Sequence, residues 1–159
     1  MSSSSYPKIL VLCTLSTGID TVLEVNRKGI PIDFIVGLNP QNIDSEKISG
    51  FIDIKKYANK HNIPYLYVDT YSLTSEGDKL KISDIDFEII WVAGWQRLLP
   101  RWLIEKPQLG VLGGHGSPDG INGGRGRSPQ NWALILGAKR FDLALFKITP
   151  GIDDGPIIL

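Results

Sequence analysis

The sequence predicts an α/β protein of the doubly wound kind, with a mostly parallel sheet. Three observations predict it. Short β-prone apolar runs recur along the 159 residues. Most are continuous rather than alternating, as expected of strands covered on both faces. Between them lie stretches of helical length that carry apolar stripes and end in turn or capping residues.

Residues 8–14 (KILVLCT) are the first such run, expected as the central strand. Ser16, Thr17 and Gly18 then make a turn with a capping residue. Ile19, Val22, Leu23 and Val25 supply the stripe of a helix ending near Lys28-Gly29. Residues 31–38 (PIDFIVGL) form the second strand, which completes a right-handed βαβ unit. Residues 39–50 are polar and turn-rich, and read as a loop. Residues 53–62 form a helix with Ile54, Tyr57 and Ala58 on one face, ended by Asn62-Ile63-Pro64. Residues 65–68 are a short third strand, and 75–81 a weak helix.

Residues 87–93 (FEIIWVA) form the fourth strand, and 99–105 a helix that tolerates Pro100 in its first turn. Residues 110–114 are the fifth strand. Ser128 as N-cap and Pro129 at the first position start a helix running to Gly137. Residues 141–149 are the sixth strand, and a seventh begins at Pro156. The pattern is Rossmann-like. Ligands of such sheets sit at the carboxyl ends of the strands, here residues 15–18, 94–98, 114–127 and 150–155.

Composition narrows the function classes. Lys plus Arg and Asp plus Glu are 17 each, so no bulk field draws the chain to nucleic acid or membrane. The single cysteine, Cys13, lies within an apolar run and reads as a small core residue of a cytoplasmic protein. Residues 1–6 read as a disordered tip preceding one domain over 7–159. They lack the basic start of a signal peptide, and the apolar run that follows is too short to span a membrane.

The segment after the fifth strand holds the chemistry. Gly113, Gly114 and Gly116 surround His115, and Gly120, Gly123, Gly124 and Gly126 accompany Arg125 and Arg127. Such glycines imply positive φ or close approach by a ligand or another segment, unless the stretch is a flexible hairpin. The loop is neither a Walker A motif nor the GxGxxG of a dinucleotide fold. His61, between Lys60 and Asn62 at a helix end, fits a solvent-facing residue. His115 ends a buried strand, and the acidic turn Asp153-Asp154-Gly155 follows the next one. A carboxylate there can orient the imidazole and raise its pKa, preparing it to stabilise an oxyanion; a solvated turn is the plainer alternative. Two distant histidines and one cysteine predict no zinc site. Ser117 and Ser128 lie outside any GxSxG elbow.

Taken in order, Gly94-Trp95-Gln96, Leu99-Pro100, Gly110, His115-x-Ser117, Arg125-Gly126, Pro129, Gly137 and Asp153-x-Gly155 resemble the folate-dependent formyltransferases. That family includes glycinamide ribonucleotide transformylase, methionyl-tRNA formyltransferase and the sugar N-formyltransferases. The resemblance covers residues 89–159 in detail, and the first half only as a generic Rossmann-like pattern. It implies formyl transfer from N10-formyltetrahydrofolate to a primary amine, without a metal. His115 and Asp153 match the catalytic pair. Trp95, Gln96, Arg97, Leu98 and Leu99 match the loop that embraces the pterin ring, with Asp153 beside it. Ser117, Arg125 and Arg127 fall on the substrate loop.

The implied acceptor is a small amine, an amino sugar on a nucleotide being our first reading. Methionyl-tRNA formylation and hydrolysis of formyltetrahydrofolate are the enzymic alternatives, and a non-catalytic folate-binding or interaction module is the alternative of another class. Three departures stand out. Gly113 occupies the place of the family's asparagine, an oxyanion donor whose loss costs roughly 10²–10³-fold in turnover. Asn122, Asn131 or glycine N–H groups are candidate replacements. The loop over residues 117–125 is longer than the family form and lacks its Leu-Pro. The sequence also stops at Leu159, where family domains continue through a strand and a closing helix. We therefore expect either truncation or a homo-oligomer that covers the unfinished face.

Overall fold

The computed structural model describes residues 6–42, 44, 48–120 and 128–159. Among these described residues six strands alternate with five helices: β1 (Ile9–Leu12), α1 (Ser16–Arg27), β2 (Phe34–Leu38), α2 (Lys55–His61), β3 (Tyr65–Val68), α3 (Glu76–Ser83), β4 (Ile89–Val92), α4 (Arg101–Ile104), β5 (Gly110–Ser117), α5 (Pro129–Ile135) and β6 (Asp142–Lys147). They form one sheet of order β3-β2-β1-β4-β5-β6. Every pairing is parallel except β5 with β6. This is the doubly wound α/β fold, Rossmann-like, that the alternation of runs and stripes predicts.

Apolar residues on both faces of each central strand explain why the sheet is covered twice. Leu10 and Leu12 point into one core with Val36, Ile90 and Val111, where Ile82 of α3 and Leu103 of α4 close over them. Val11 and Cys13 point into the other with Ile35, against Ile19 and Val22 of α1. All are fully or almost fully buried. Burial raises the Cys13 thiol to about 11, which leaves it a packing residue rather than a nucleophile. Among the described residues no helix is long and apolar enough to cross a membrane.

Several boundaries differ from the sequence expectation. The second strand starts at Phe34 rather than residue 31. The fourth helix is shorter because Pro100 lies outside it, as its N-cap. Neither Ser16 nor Ser128 caps a helix with its side chain: the N-cap of α1 is Leu15, and Ser128 is left-handed (φ 58°) without a side-chain cap bond. The expected seventh strand is a single antiparallel bridge, Phe146 to Ile157.

The largest difference is in β5, which runs to Ser117 instead of stopping at Gly114. Val92 at the end of β4 pairs with Gly113, so residues 114–117 pass beyond β4 and pair only with β6. Glycine in a strand interior is normally a weakness. Here the absent Cβ atoms make room for side chains from β6 and its flanks. A Cβ at Gly116 would overlap the Phe141 ring, and one at Gly113 would meet Ile148 Cδ1 at 2.7 Å. None of Gly113, Gly114 and Gly116 has a positive φ. Close approach, not turn formation, is what Gly113 and Gly116 serve; a Cβ at Gly114 would make only an ordinary contact with Leu143, at 3.8 Å.

The turn between β3 and α3 is held by a fully buried carboxylate, Asp78. It accepts from the N–H of Asp69 (2.7 Å), the N–H of Thr70 (2.9 Å) and the Thr70 hydroxyl (2.6 Å). Its own N–H donates to Ser75 Oγ, the cap of α3. Burial alone raises this carboxyl, but the hydrogen bonds from Thr70, Asp69 and Ser75 outweigh it and hold the group below its ordinary value. A depressed folded pKa contributes stability that is present above the unfolded value near 4 and is lost as pH falls through the folded value. Urea unfolding of Asp78→Asn should show a loss of about 1–3 kcal/mol at neutral pH and a weaker acid dependence than the native chain.

Candidate functional site

The switch point of the sheet, between β1 and β4, is the usual ligand crevice of a doubly wound fold. Here it is closed. A Cβ at Gly18 would overlap the Ala93 carbonyl, so glycine lets α1 dock on the backbone that follows β4. The Thr14 N–H and hydroxyl both donate to the Gly94 carbonyl, at 3.1 and 2.8 Å. Residues 15–18, expected at the site, are therefore structural.

A cavity of about 640 Å³ opens instead over β4, β5 and β6. One wall is the loop after β4, with Gly94, Trp95, Gln96, Arg97, Leu98 and Leu99. Gly113, Gly114 and His115 of β5 form the floor, with Phe146, Ile148 and Ser128 beside them. Gly151, Ile152 and Asp153 close the other side. This volume and mixture, apolar walls with a few convergent polar groups, suit a small organic ligand.

His115 lies within the overrunning part of β5 and pairs with Ala144, so it leaves the sheet from a strand and not from a loop. Its side chain is 9% exposed, and Nδ1 stands 3.5 Å from Oδ2 of Asp153. Asp153 reaches it by an indirect route. Because β6 is antiparallel, Lys147 pairs with Leu112, well before His115. The chain then turns back through residues 149–155 and returns alongside β6, where Lys147 N–H donates to the Pro156 carbonyl at 3.0 Å.

This tight turn has its own sequence cause. Gly155 packs so closely on the Lys147 carbonyl that a Cβ would overlap it, and Gly151 does the same against the Asp154 carboxylate. The Thr149 hydroxyl donates to that carboxylate. Asp154 thus holds the turn, while Asp153, left-handed at φ 47°, faces the cavity.

The loop over residues 95–99 behaves as two parts. Trp95 is buried, and its indole donates to the Tyr71 carbonyl at 3.2 Å. Arg97, Leu98 and Leu99 line the cavity, and among the described residues no acceptor takes their backbone N–H groups. A planar ligand with a hydrogen-bonding edge can use these groups.

Of the other expected site residues, Ser117 is fully buried at the far end of β5, accepts from the Asp119 N–H at 3.3 Å, and does not line the cavity. Asn131 is exposed on α5 and is likewise absent from the lining. Arg125, Arg127 and Asn122 lie outside the described residues. Sequence reading missed Ser128, Phe146 and Ile148 as site residues. Ser128 is the N-cap that its place before Pro129 predicts, without a side-chain cap bond, and it lines the cavity as well; nothing local marks Ile148, which fills the space a side chain at position 113 would need.

No protein-family model matches the chain. Among curated proteins, the bifunctional polymyxin resistance protein ArnA of Wigglesworthia glossinidia brevipalpis is 35% identical over 114 residues, 72% of this chain and 17% of that protein. Methionyl-tRNA formyltransferase of Synechococcus sp. (strain CC9902) is 30% identical over 86 residues, 54% of this chain and 25% of that protein. The matched part is thus a quarter or less of either relative's length. Among solved structures, phosphoribosylglycinamide formyltransferase of Bacillus halodurans superposes with a TM-score of 0.75, covering 96% of this chain and 77% of that one. At 16% identity this likeness concerns the fold.

The geometry makes Gly155 a sensitive point for the site. Gly155→Ala should lower stability by roughly 1–3 kcal/mol through overpacking. In nuclear magnetic resonance spectra the largest shifts should fall on residues 149–155 and His115, while β1 to β3 stay unchanged.

Proposed function

We propose, from the premise that the chain belongs to the folate-dependent formyltransferase family, that it transfers a formyl group from N10-formyltetrahydrofolate to a small primary amine. One observation carries the reading: an imidazole and a carboxylate 3.5 Å apart at a cavity whose wall is the 95–99 loop. The residues present fit the donor. Planar and apolar surface from Phe146, Leu99 and Ile148 suits a pterin, and the backbone N–H groups of Arg97, Leu98 and Leu99 suit its polar edge.

When bound, the donor supplies the formyl carbon, and the protein supplies charge and proton handling. His115 stabilises negative charge developing on the formyl oxygen, and its low exposure strengthens that interaction by excluding water. Asp153 orients the imidazole and takes the amine proton, directly or through water. Gly113 offers no side-chain amide, and Ile148 occupies the neighbouring space. We assign the second donor to the Ser128 hydroxyl, which lines the cavity and makes no cap bond.

For the acceptor we propose an amino sugar carried on a nucleotide, with Arg125 and Arg127 meeting its phosphates and Ser117 shaping the loop from within β5. A formal net charge of zero supports a small acceptor over a transfer RNA. The cytoplasm is the proposed compartment. Trp132, Leu134, Ile135, Leu136, Leu143 and Leu159 are all more than half exposed, and a second copy of the chain is the proposed cover for this apolar surface.

Formyl transfer should be followed with amino-sugar nucleotides and with methionyl-tRNA as competing acceptors. His115→Ala and Asp153→Asn should each lower kcat by about 10²–10⁴-fold with little change in donor KM. Ser128→Ala should lower it by about 10²-fold; an unchanged rate would remove Ser128 from the reaction. Formate release without an acceptor would indicate hydrolysis, and donor binding without turnover a folate-binding module. Light scattering should give twice the chain mass; a monomer would refute the proposed cover.

A further inference from the structure

We propose that Tyr71, on the turn after β3, is a positioning residue that sets the shape of the cavity wall over residues 95–99; the inference rests on that wall being the donor-binding loop. Tyr71 does not line the cavity itself. It touches the loop from behind by four separate contacts. Its carbonyl accepts from the Trp95 indole at 3.2 Å. Its ring meets the Trp95 ring edge-on, with centroids 5.0 Å apart at 78°. The Arg97 guanidinium lies over the same ring, 5.1 Å from its centre. Its hydroxyl oxygen accepts from the Gln96 N–H at 2.9 Å.

The proton inventory of that hydroxyl fixes its direction. Thr14 Oγ1 has one proton and donates it to the Gly94 carbonyl at 2.8 Å. The 3.2 Å contact between Thr14 Oγ1 and Tyr71 Oη must then be a donation from the tyrosine. Oη thus gives to the segment after β1 and takes from the loop after β4. Three strand ends meet at one oxygen.

The tyrosine is itself anchored. The bonds of Asp78 to Asp69 and Thr70 fix the residues just before it. On the other side Leu73, fully buried and left-handed, receives the Trp102 indole N–H at 3.1 Å on its carbonyl. A rigid turn therefore holds the Gln96 amide, and the N–H groups of the next three residues remain for a ligand. Removing Oη leaves the ring contacts in place and releases the backbone where recognition takes place.

The discriminating variant is Tyr71→Phe, which keeps the ring over Trp95 and under Arg97. Amide hydrogen exchange at Gln96 should accelerate in the variant, while core amides of β1 and β4 keep their protection. Affinity for a stable formylfolate analogue, 10-formyl-5,8-dideazafolate, should fall about 3- to 10-fold, the range expected for one lost hydrogen bond. Donor KM should rise in parallel with kcat nearly unchanged, unlike His115→Ala.

Unchanged exchange at Gln96 would overturn the inference. So would an unchanged affinity in a variant whose parent binds the analogue, or loss of protection spread evenly over the core. If the native chain fails to bind the analogue, the formyl-donor reading falls. The Gln96 exchange result still decides whether Tyr71 holds the loop.

Discussion

Steric room along β5 is the constraint on which the site depends. Antiparallel pairing carries β6 away from the carboxyl edge, so an aspartate in the following segment would ordinarily end far from His115. It returns because Gly113 and Gly116 admit Ile148 and Phe141, and because Gly151 and Gly155 allow the turn to close on Asp154 and on the Lys147 carbonyl. Of these four, Gly155 is the strictest, because a Cβ there would overlap the Lys147 backbone carbonyl of the turn that brings Asp153 to 3.5 Å from His115. Glycines that weaken a strand by propensity here leave room for the segments around the His115–Asp153 pair.

A second consequence is where the cavity lies. Contact between Gly18 and Ala93, reinforced by Thr14 and Gly94, closes the crevice that most doubly wound sheets use for nucleotides. Binding space moves to the half of the sheet where β5 overruns β4. The first half of the chain then serves as support. Its buried carboxylate, Asp78, fixes the turn whose tyrosine backs the cavity wall.

Much of the fold was legible in the sequence, because continuous apolar runs and helical stripes respond to the same burial on both sheet faces that the structure shows. Motif order singled out His115, Asp153 and residues 95–99, and all of them line one cavity, although His115 lies within β5 and not after it. The extent of β5 was not. A run of glycines carries no β signal of its own, and its pairing depends on side chains some 30 residues away, Phe141 and Ile148. Ser128 is the N-cap of α5 that its place before Pro129 predicts, but it is left-handed and makes no side-chain cap bond, and nothing in the local sequence marks it as lining the cavity. The role of Tyr71 had no local signature, because its partners Thr14 and Gln96 lie in other parts of the chain.

The most direct test of the account is a crystal structure of the chain with bound 10-formyl-5,8-dideazafolate. The ring should lie against residues 97–99 and the formyl oxygen about 3 Å from the His115 imidazole, with Asp153 on the open side where an amine would enter. A ring seated elsewhere, or a formyl group turned away from the histidine and the aspartate, would contradict it.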